Sequence, residues 1–133
     1  MRFLLDTNIC IYIIKQKPPA VLQKFNEFQV GDLGISSITV AELEFGVQKS
    51  QFSEKNKQAL SQFLLPLEIV DFDDVAAVAY GNIRAFLEKQ ETPIGSFDIL
   101  IAAHALSLAA TLITNNTKEF SHVPNLKLEN WVG

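Results

Sequence analysis

Residues 1–10 read MRFLLDTNIC, and this stretch decides the fold. The apolar run over residues 2–5 predicts a short buried strand, which ends at a carboxylate, Asp6. Apolar residues resume at Ile9 and continue at helical spacing over residues 9–15, so a helix is predicted to follow the strand. Aspartate is rarely buried unless it has a partner. Asp6 is therefore either the cap of this helix or one ligand of a site.

The same alternation of strand and helix continues to the end of the chain. Further strands are predicted at residues 33–36, 67–72, 111–114 and 126–128. Helices are predicted at residues 20–28, 38–49, 53–65 with Ser53 as its cap, about 74–90 with Asp73 or Asp74 as its cap, and 97–109, with a short helical turn at 118–121. This order predicts an α/β fold in which helices cover both faces of a mostly parallel sheet of four to five strands. We expect one domain over residues 1–133.

The composition narrows the class of protein. The chain has 133 residues, of which 48% are hydrophobic, and its net charge is -4. That charge argues against a protein that coats nucleic acid without specificity, but it is compatible with a nuclease that gathers acids locally. The single cysteine, Cys10, excludes a disulfide within the chain. The first residues lack the features of a signal peptide, and His104 interrupts the apolar segment 99–113, so we expect a soluble, cytoplasmic protein without membrane contact.

Two further acids lie on helices that are otherwise apolar. Glu42 has Ile38, Phe45 and Gly46 as neighbours on its helix face, whereas Glu44 points about 200° away at 3.6 residues per turn. We therefore expect Glu42 to face inward and Glu44 to face solvent, although an ordinary surface glutamate is the alternative for Glu42. Asp98 is the only acid of an apolar helix, and the favourable helix dipole is an alternative reason for its place in the first turn.

A fourth polar region follows the strand predicted at residues 111–114. Asn116 or Glu119 is expected to add oxygen ligands to the cleft that contains Asp6, Glu42 and Asp98, because all four regions lie beyond strand ends or on adjoining helices. Hard cations such as Mg²⁺ and Mn²⁺ prefer oxygen ligands, and with such ions the cluster would suit phosphodiester hydrolysis. His104 lies about 240° around the helix from Asp98, so we interpret it as a core histidine rather than a ligand.

Two other readings of the acids remain open at this point. A phosphatase that forms a phosphoaspartate usually has a second aspartate two residues after the first, where this chain has Asn8. A non-enzymatic alternative is a receiver or an inactive binding module that keeps the fold. A receiver needs an aspartate after the third strand, where Asp71, Asp73 and Asp74 lie, and paired acids after the first strand, where Asp6 stands alone. Neither pattern is complete in this chain.

Four segments in order resemble the PIN-domain ribonucleases and, more narrowly, the VapC toxins of bacterial toxin–antitoxin pairs. They read FLLDTNICIYIIK (3–15), ISSITVAELEFGV (35–47), PIGSFDILIAAHALSL (93–108) and LITNNTKEF (112–120). The resemblance implies a PIN-like three-layer α/β/α fold and a Mg²⁺- or Mn²⁺-dependent endoribonuclease. It assigns the metal-binding acids to Asp6, Glu42 and Asp98.

The same resemblance implies further roles. The usual fourth acid is replaced by Asn116, so either this amide or Glu119 would complete the site, with one or two ions. Thr7 and Asn8 are expected to support Asp6 by hydrogen bonds, and Thr114 to orient the attacking water. The substrate would be a structured RNA, typically a tRNA anticodon stem-loop, whose cleavage inhibits translation. The partners would be a VapB-type antitoxin and a second copy in a homodimer, with operator DNA bound through the antitoxin.

Overall fold

The computed structural model describes residues 1–29 and 31–132. In this part of the chain the strands are β1 (Phe3–Leu5), β2 (Leu33–Ser36), β3 (Glu68–Val70), β4 (Thr111–Ile113) and β5 (Leu128–Glu129). The helices are α1 (Thr7–Lys15), α2 (Pro19–Asn26), α3 (Ser37–Gln48), α4 (Ser53–Leu64), α5 (Asp74–Lys89), α6 (Ser96–Ser107) and α7 (Thr117–Phe120). The predicted domain also includes Val30 and Gly133, which lie outside the described residues.

The five strands form one parallel sheet in the order β3-β2-β1-β4-β5. The predicted α/β fold with a mostly parallel sheet of four to five strands is therefore confirmed. Strand β1 is at the centre of the sheet, where it pairs with both β2 and β4. Because the carboxyl ends of parallel strands meet at one edge, the segments that follow β1 and β4 lie beside each other.

Adjacent residues of β1 supply the two faces of the sheet. Leu5 and Ile113 belong to one hydrophobic cluster, which α1, α2, α3 and α4 cover. Leu4 and Leu112 belong to a second cluster on the opposite face, which α5 and α6 cover. This division follows from the alternation of side chains along a strand, and it produces the three layers that a parallel sheet needs to bury both faces.

Several helices begin earlier than predicted because their caps are polar residues that precede the apolar pattern. Asp6 caps α1 and Ser36 caps α3, so these helices start at Thr7 and Ser37 rather than at residues 9 and 38. Asp73 caps α5, which is one of the two predicted options. The prediction that Ser53 caps α4 is wrong. Ser53 is the first residue of α4, and no side chain caps this helix.

Within residues 1–29 and 31–132, no helix combines the length and the hydropathy needed to span a membrane. The last strand also differs from the prediction, since β5 begins at Leu128 and not at residue 126.

Candidate active site

Asp6 is a buried carboxylate at the carboxyl end of the central strand. Its side chain is 5% exposed, and its Oδ1 accepts a hydrogen bond of 2.8 Å from the main-chain N–H of Ile9. Burial raises the pKa of Asp6 to about 6, the nearby hydroxyl of Thr114 and the Ile9 amide lower it, and the charges of Asp98 and Glu42 raise it further. Asp6 therefore has both functions that the sequence left open, because it caps α1 and lies within the electric field of two other acids.

Glu42 reaches the same place from α3. Its Oε1 accepts a hydrogen bond of 2.6 Å from the hydroxyl of Thr7, which directly follows Asp6. Glu44 forms an ion pair with Lys57 at the surface, so the predicted orientations of the two glutamates are both confirmed. The Thr7 hydroxyl also lies 3.4 Å from that of Thr39, which is fully buried and which the sequence analysis did not identify.

The prediction that Thr7 and Asn8 support Asp6 by hydrogen bonds is wrong. The Thr7 hydroxyl bonds to Glu42 instead of Asp6, and the Ile9 amide supplies the hydrogen bond to Asp6. Asn8 is exposed, as expected for a side chain on the outer face of the first turn of α1, and its side chain forms none of the hydrogen bonds found among the described residues.

Asp98 lies half-buried in the first turn of α6. Burial raises its pKa, and the charges of Glu119 and Glu42 raise it further. These contributions place Asp98 among acids from α3 and α7. The helix dipole therefore does not account for its position alone, because an isolated acid at a helix N-terminus would have no like charges around it.

Asn116 and Glu119 form one unit rather than two alternatives. Glu119 Oε2 accepts a hydrogen bond of 2.8 Å from Asn116 Nδ2, and its Oε1 accepts one of 3.2 Å from the Gly95 N–H. The Asn116 N–H in turn donates to the hydroxyl of Thr114. Glu119 thus connects α7 to the residue that caps α6, and the pair lies between Asp98 and the end of β4.

His104 lies in the core, as predicted. It is 1% exposed, its Nδ1 lies 2.8 Å from the hydroxyl of Ser36, and its ring contacts Phe72 edge-on with centroids 5.3 Å apart. Burial lowers the pKa of His104, against the opposite effect of Asp73 and Asp71. Since Ser36 caps α3 and His104 belongs to α6, this contact joins the two helices that carry Glu42 and Asp98.

Comparison with known proteins agrees with this geometry. Residues 3–126 match the profile of the PIN domain family. The chain is 45% identical over 131 residues to the tRNA(fMet)-specific endonuclease VapC of Shigella flexneri, with 98% of each chain covered. It is 46% identical over 132 residues to ribonuclease VapC2 of Haemophilus influenzae, with 99% of each chain covered. The chain belongs to the VapC family of PIN-domain ribonucleases.

A solved structure confirms the fold expected of a VapC protein. The crystal structure of VapBC2 from Rickettsia felis, bound to a DNA fragment from its promoter, superposes on this chain with a TM-score of 0.93 at 45% identity. The alignment covers 98% of this chain and 99% of that one. The predicted PIN-like arrangement of the sheet and its covering helices is therefore confirmed.

The side chains of the acid cluster could hold a hard divalent cation. Its donors are carboxylate oxygens and one amide oxygen, which are the ligands that Mg²⁺ and Mn²⁺ prefer. The ion pairs among the described residues lie elsewhere, between Lys57 and Glu44 and between Arg84 and Glu88, so no basic side chain in this part of the chain forms an ion pair with the cluster. Among residues 1–29 and 31–132, no three acidic, histidine or cysteine side chains are close enough together to hold a metal ion without moving. Binding a cation would have to draw them together against their mutual repulsion.

One side of the VapC site opens into an apolar groove between α1, α3 and α4. The groove has a volume of about 350 Å³, and Glu42 lies in its wall. Its other walls are formed mainly by the hydrophobic side chains Ile11, Ile14, Leu43, Val47 and Leu60. Among the phenylalanines of the first half of the chain, Phe25, Phe28 and Phe63 pack against the core, while Phe45 and Phe52 are 66% and 68% exposed.

Proposed function

We propose that this chain is a divalent-metal-dependent endoribonuclease that cleaves a structured RNA, the anticodon stem-loop of initiator tRNA(fMet). The observation that carries the proposal is the burial of Asp6 at the end of β1, where the hydroxyl of the adjoining Thr7 donates a hydrogen bond to Glu42. The raised pKa values of Asp6 and Asp98 agree with it, because other acids contribute to both. The substrate is supported by the tRNA(fMet)-specific endonuclease of Shigella flexneri, which is 45% identical. Cleavage of this RNA would inhibit translation and make the chain a toxin.

Each residue of the site has a definite task in this proposal. Asp6, Glu42 and Asp98 would hold the metal by carboxylate oxygens, and Asn116 and Glu119 would complete the ligand set as a hydrogen-bonded pair. A bound Mg²⁺ or Mn²⁺ would supply the positive charge needed to activate a water and to stabilise the leaving oxygen.

Two side chains with hydroxyl groups assist these ligands. Thr7 orients Glu42 by donating a hydrogen bond to it. Thr114 is fully buried beside Asp6, where its hydroxyl lowers the Asp6 pKa and thereby favours the ionised form that binds metal. In the proposed reaction Thr114 also orients the attacking water.

Two glutamates on one helix provide a matched test of the site. Glu42→Gln is expected to reduce the rate of hairpin cleavage by at least about 10²-fold, whereas Glu44→Gln, two residues away in an ion pair with Lys57, should change it less than about twofold. Cleavage of a labelled initiator-tRNA hairpin is measured by gel electrophoresis with Mn²⁺, with Mg²⁺ and with EDTA. Equal rates for the two variants, or cleavage that EDTA leaves unchanged, would refute the assignment.

The proposed partner is a VapB-type antitoxin, as in the VapBC2 complex of Rickettsia felis. The apolar groove fits a hydrophobic helix, because a helix face with regularly spaced apolar residues buries its side chains in such a groove. A partner in this groove would lie next to the acids, because Glu42 is part of the groove wall. We further propose that the chain is a cytoplasmic single-domain protein that forms a homodimer and reaches operator DNA through the antitoxin.

A further inference from the structure

We propose that a second cavity, on the α7 side of the acids, is a nucleotide subsite that holds the RNA next to the scissile bond. In this subsite Lys118 contacts a backbone phosphate and the imidazole of His122 packs on a base. The inference rests on the proposed ribonuclease function, because it names the part of the same site that grips the substrate.

The cavity lies between the loop that precedes α6 and the polypeptide around α7. Residues 92–94 form one wall, and Asn116, Lys118, Glu119 and His122 form the other. Its volume is about 310 Å³, at the lower end of the roughly 300–1,000 Å³ found for ligand pockets, which suits a single nucleotide. Because Asn116 and Glu119 belong to the acid cluster, a nucleotide in the cavity would adjoin the reacting phosphate.

The charges of the cavity favour RNA as its occupant. An acid cluster repels a polyanion, so the strand needs basic contacts beyond the metal. Lys118 and His122 are both exposed cavity residues, and the ion pairs among the described residues use neither of them. Their positive or hydrogen-bonding groups are therefore available to a phosphate and a base.

The spacing of the two side chains follows from the local backbone. Hydrogen bonds from Ser121 N–H to Thr117 and from His122 N–H to Glu119 continue the turn past the end of α7. Residues four apart on such a turn face the same side, which brings Lys118 and His122 to one cavity. The apolar parts of Pro93 and Ile94 in the opposite wall offer a surface for the other face of a base.

Binding measured without cleavage tests the subsite directly. The Asp98→Asn protein is titrated into the fluorescent initiator-tRNA hairpin in Mg²⁺, and its anisotropy gives Kd. Adding Lys118→Gln should raise Kd about fivefold and reduce the slope of log Kd against log salt by about 0.7, because one phosphate contact is lost. Adding His122→Ala should raise Kd about 5- to 20-fold, and His122→Phe should restore most of the affinity by keeping the stacking surface.

Lys127→Gln is the matched control, since Lys127 is exposed and precedes β5 at the opposite end of the sheet. It removes the same charge and should change Kd less than twofold. Equal effects of the Lys118 and Lys127 substitutions would overturn the inference and indicate general electrostatic attraction. Loss of affinity only for an acidic partner protein, with Kd for RNA unchanged, would also overturn it.

The outcomes separate the subsite from the proposed function. If the wild-type protein binds the hairpin through Lys118 but never cleaves it, the ribonuclease assignment fails and the subsite stands. If the wild-type protein cleaves the hairpin and the Lys118 and His122 variants cleave it with unchanged KM and kcat, the subsite alone fails. Absence of any binding to the hairpin overturns both.

Discussion

The two cavities that border the acid cluster differ in chemistry. The groove between α1, α3 and α4 is mostly hydrophobic and reaches the cluster through Glu42. The cavity beside α7 is less apolar, contains Lys118 and His122, and reaches the cluster through Asn116 and Glu119. The difference shows how one site can serve two unlike occupants from two sides. An apolar partner helix suits the first cavity and a nucleotide suits the second.

The largest expected effect comes from Asp6, which is buried and whose pKa the charges of Asp98 and Glu42 raise. Its pKa of about 6 in the folded state exceeds 3.8, its value without the fold. Between these values the unfolded chain is ionised while the folded chain still holds the proton, so rising pH weakens the fold. The penalty is complete above about pH 6, amounts to roughly 3 kcal/mol, and disappears below about pH 4.

Asp6→Asn should therefore stabilise the metal-free protein by up to about 3 kcal/mol at pH 7 and hardly at all at pH 4, while abolishing cleavage. Asparagine retains the helix cap, so the comparison isolates the charge. Urea unfolding in EDTA measures the effect at both pH values. Asp73→Asn is the control, because Asp73 also caps a helix but is exposed. If the free energy of unfolding rose by the same amount at both pH values, or rose equally in the control, the charge of Asp6 would not be what destabilises the fold.

A second experiment tests whether the apolar groove binds the antitoxin. Gly46 lies in the wall of the groove, and a Cβ built on it meets no atom within 4 Å, so Gly46→Leu projects a side chain into the groove without a clash at Cβ. It should weaken binding of the VapB-type antitoxin about 10- to 50-fold by occupying its place. Hairpin cleavage should persist, and the fold should be as stable or more stable because a helical glycine is replaced.

Gly81→Leu controls for this change, since Gly81 lies on α5 with equally open space. Calorimetric titration of the antitoxin into both variants gives the affinities. A loss of antitoxin affinity that is the same for both variants would place the partner elsewhere.

The smallest effect is expected at Thr7, which orients Glu42 in the wall of the apolar groove. Thr7→Val keeps the shape but removes the hydrogen bond of 2.6 Å to Glu42. Cleavage should fall about 10-fold, in the range for residues that orient metal ligands, and Thr7→Ser should restore it. The required concentration of Mn²⁺ should rise in parallel. Asn8→Ala, at the exposed neighbour, should behave as wild type, and a similar loss in that variant would mean that the whole turn, not one hydroxyl, matters.

The fold was largely predictable because it depends on local patterns. Apolar runs and helical spacing give the order of the elements, and the strand predicted at residues 33–36 has the same bounds as β2. Helix starts were less accurate because a cap is a polar residue outside the apolar pattern, as Asp6 and Ser36 show. Ser53 has a favoured capping side chain, yet the backbone places it one residue inside α4.

The site was predictable only in part. The acids stood out because a carboxylate in an apolar surrounding is costly, and in the structure the charges of Asp98 and Glu42 raise the pKa of Asp6, while Glu119 and Glu42 raise that of Asp98. Their hydrogen-bond partners could not be predicted, since Thr7 and Glu42 are 35 residues apart and Gly95 and Glu119 are 24 apart. Such pairings depend on how helices pack across the sheet. The link between His104 and Ser36 was missed for the same reason.

The side chains of β1 are divided between two hydrophobic clusters, and this division limits the insertions and deletions that the strand can tolerate. Leu4 and Leu5 point to opposite faces, and Asp6 caps α1 at the next position. A codon inserted or deleted within residues 3–5 would turn the leucines toward the wrong helices and displace Asp6 from Ile113, whose carbonyl accepts a hydrogen bond from the Asp6 N–H, so packing and the acid site would be lost in one event. In a deep mutational scan, this three-codon stretch should be the least tolerant of length changes in the whole reading frame, even where single substitutions among aliphatic residues survive.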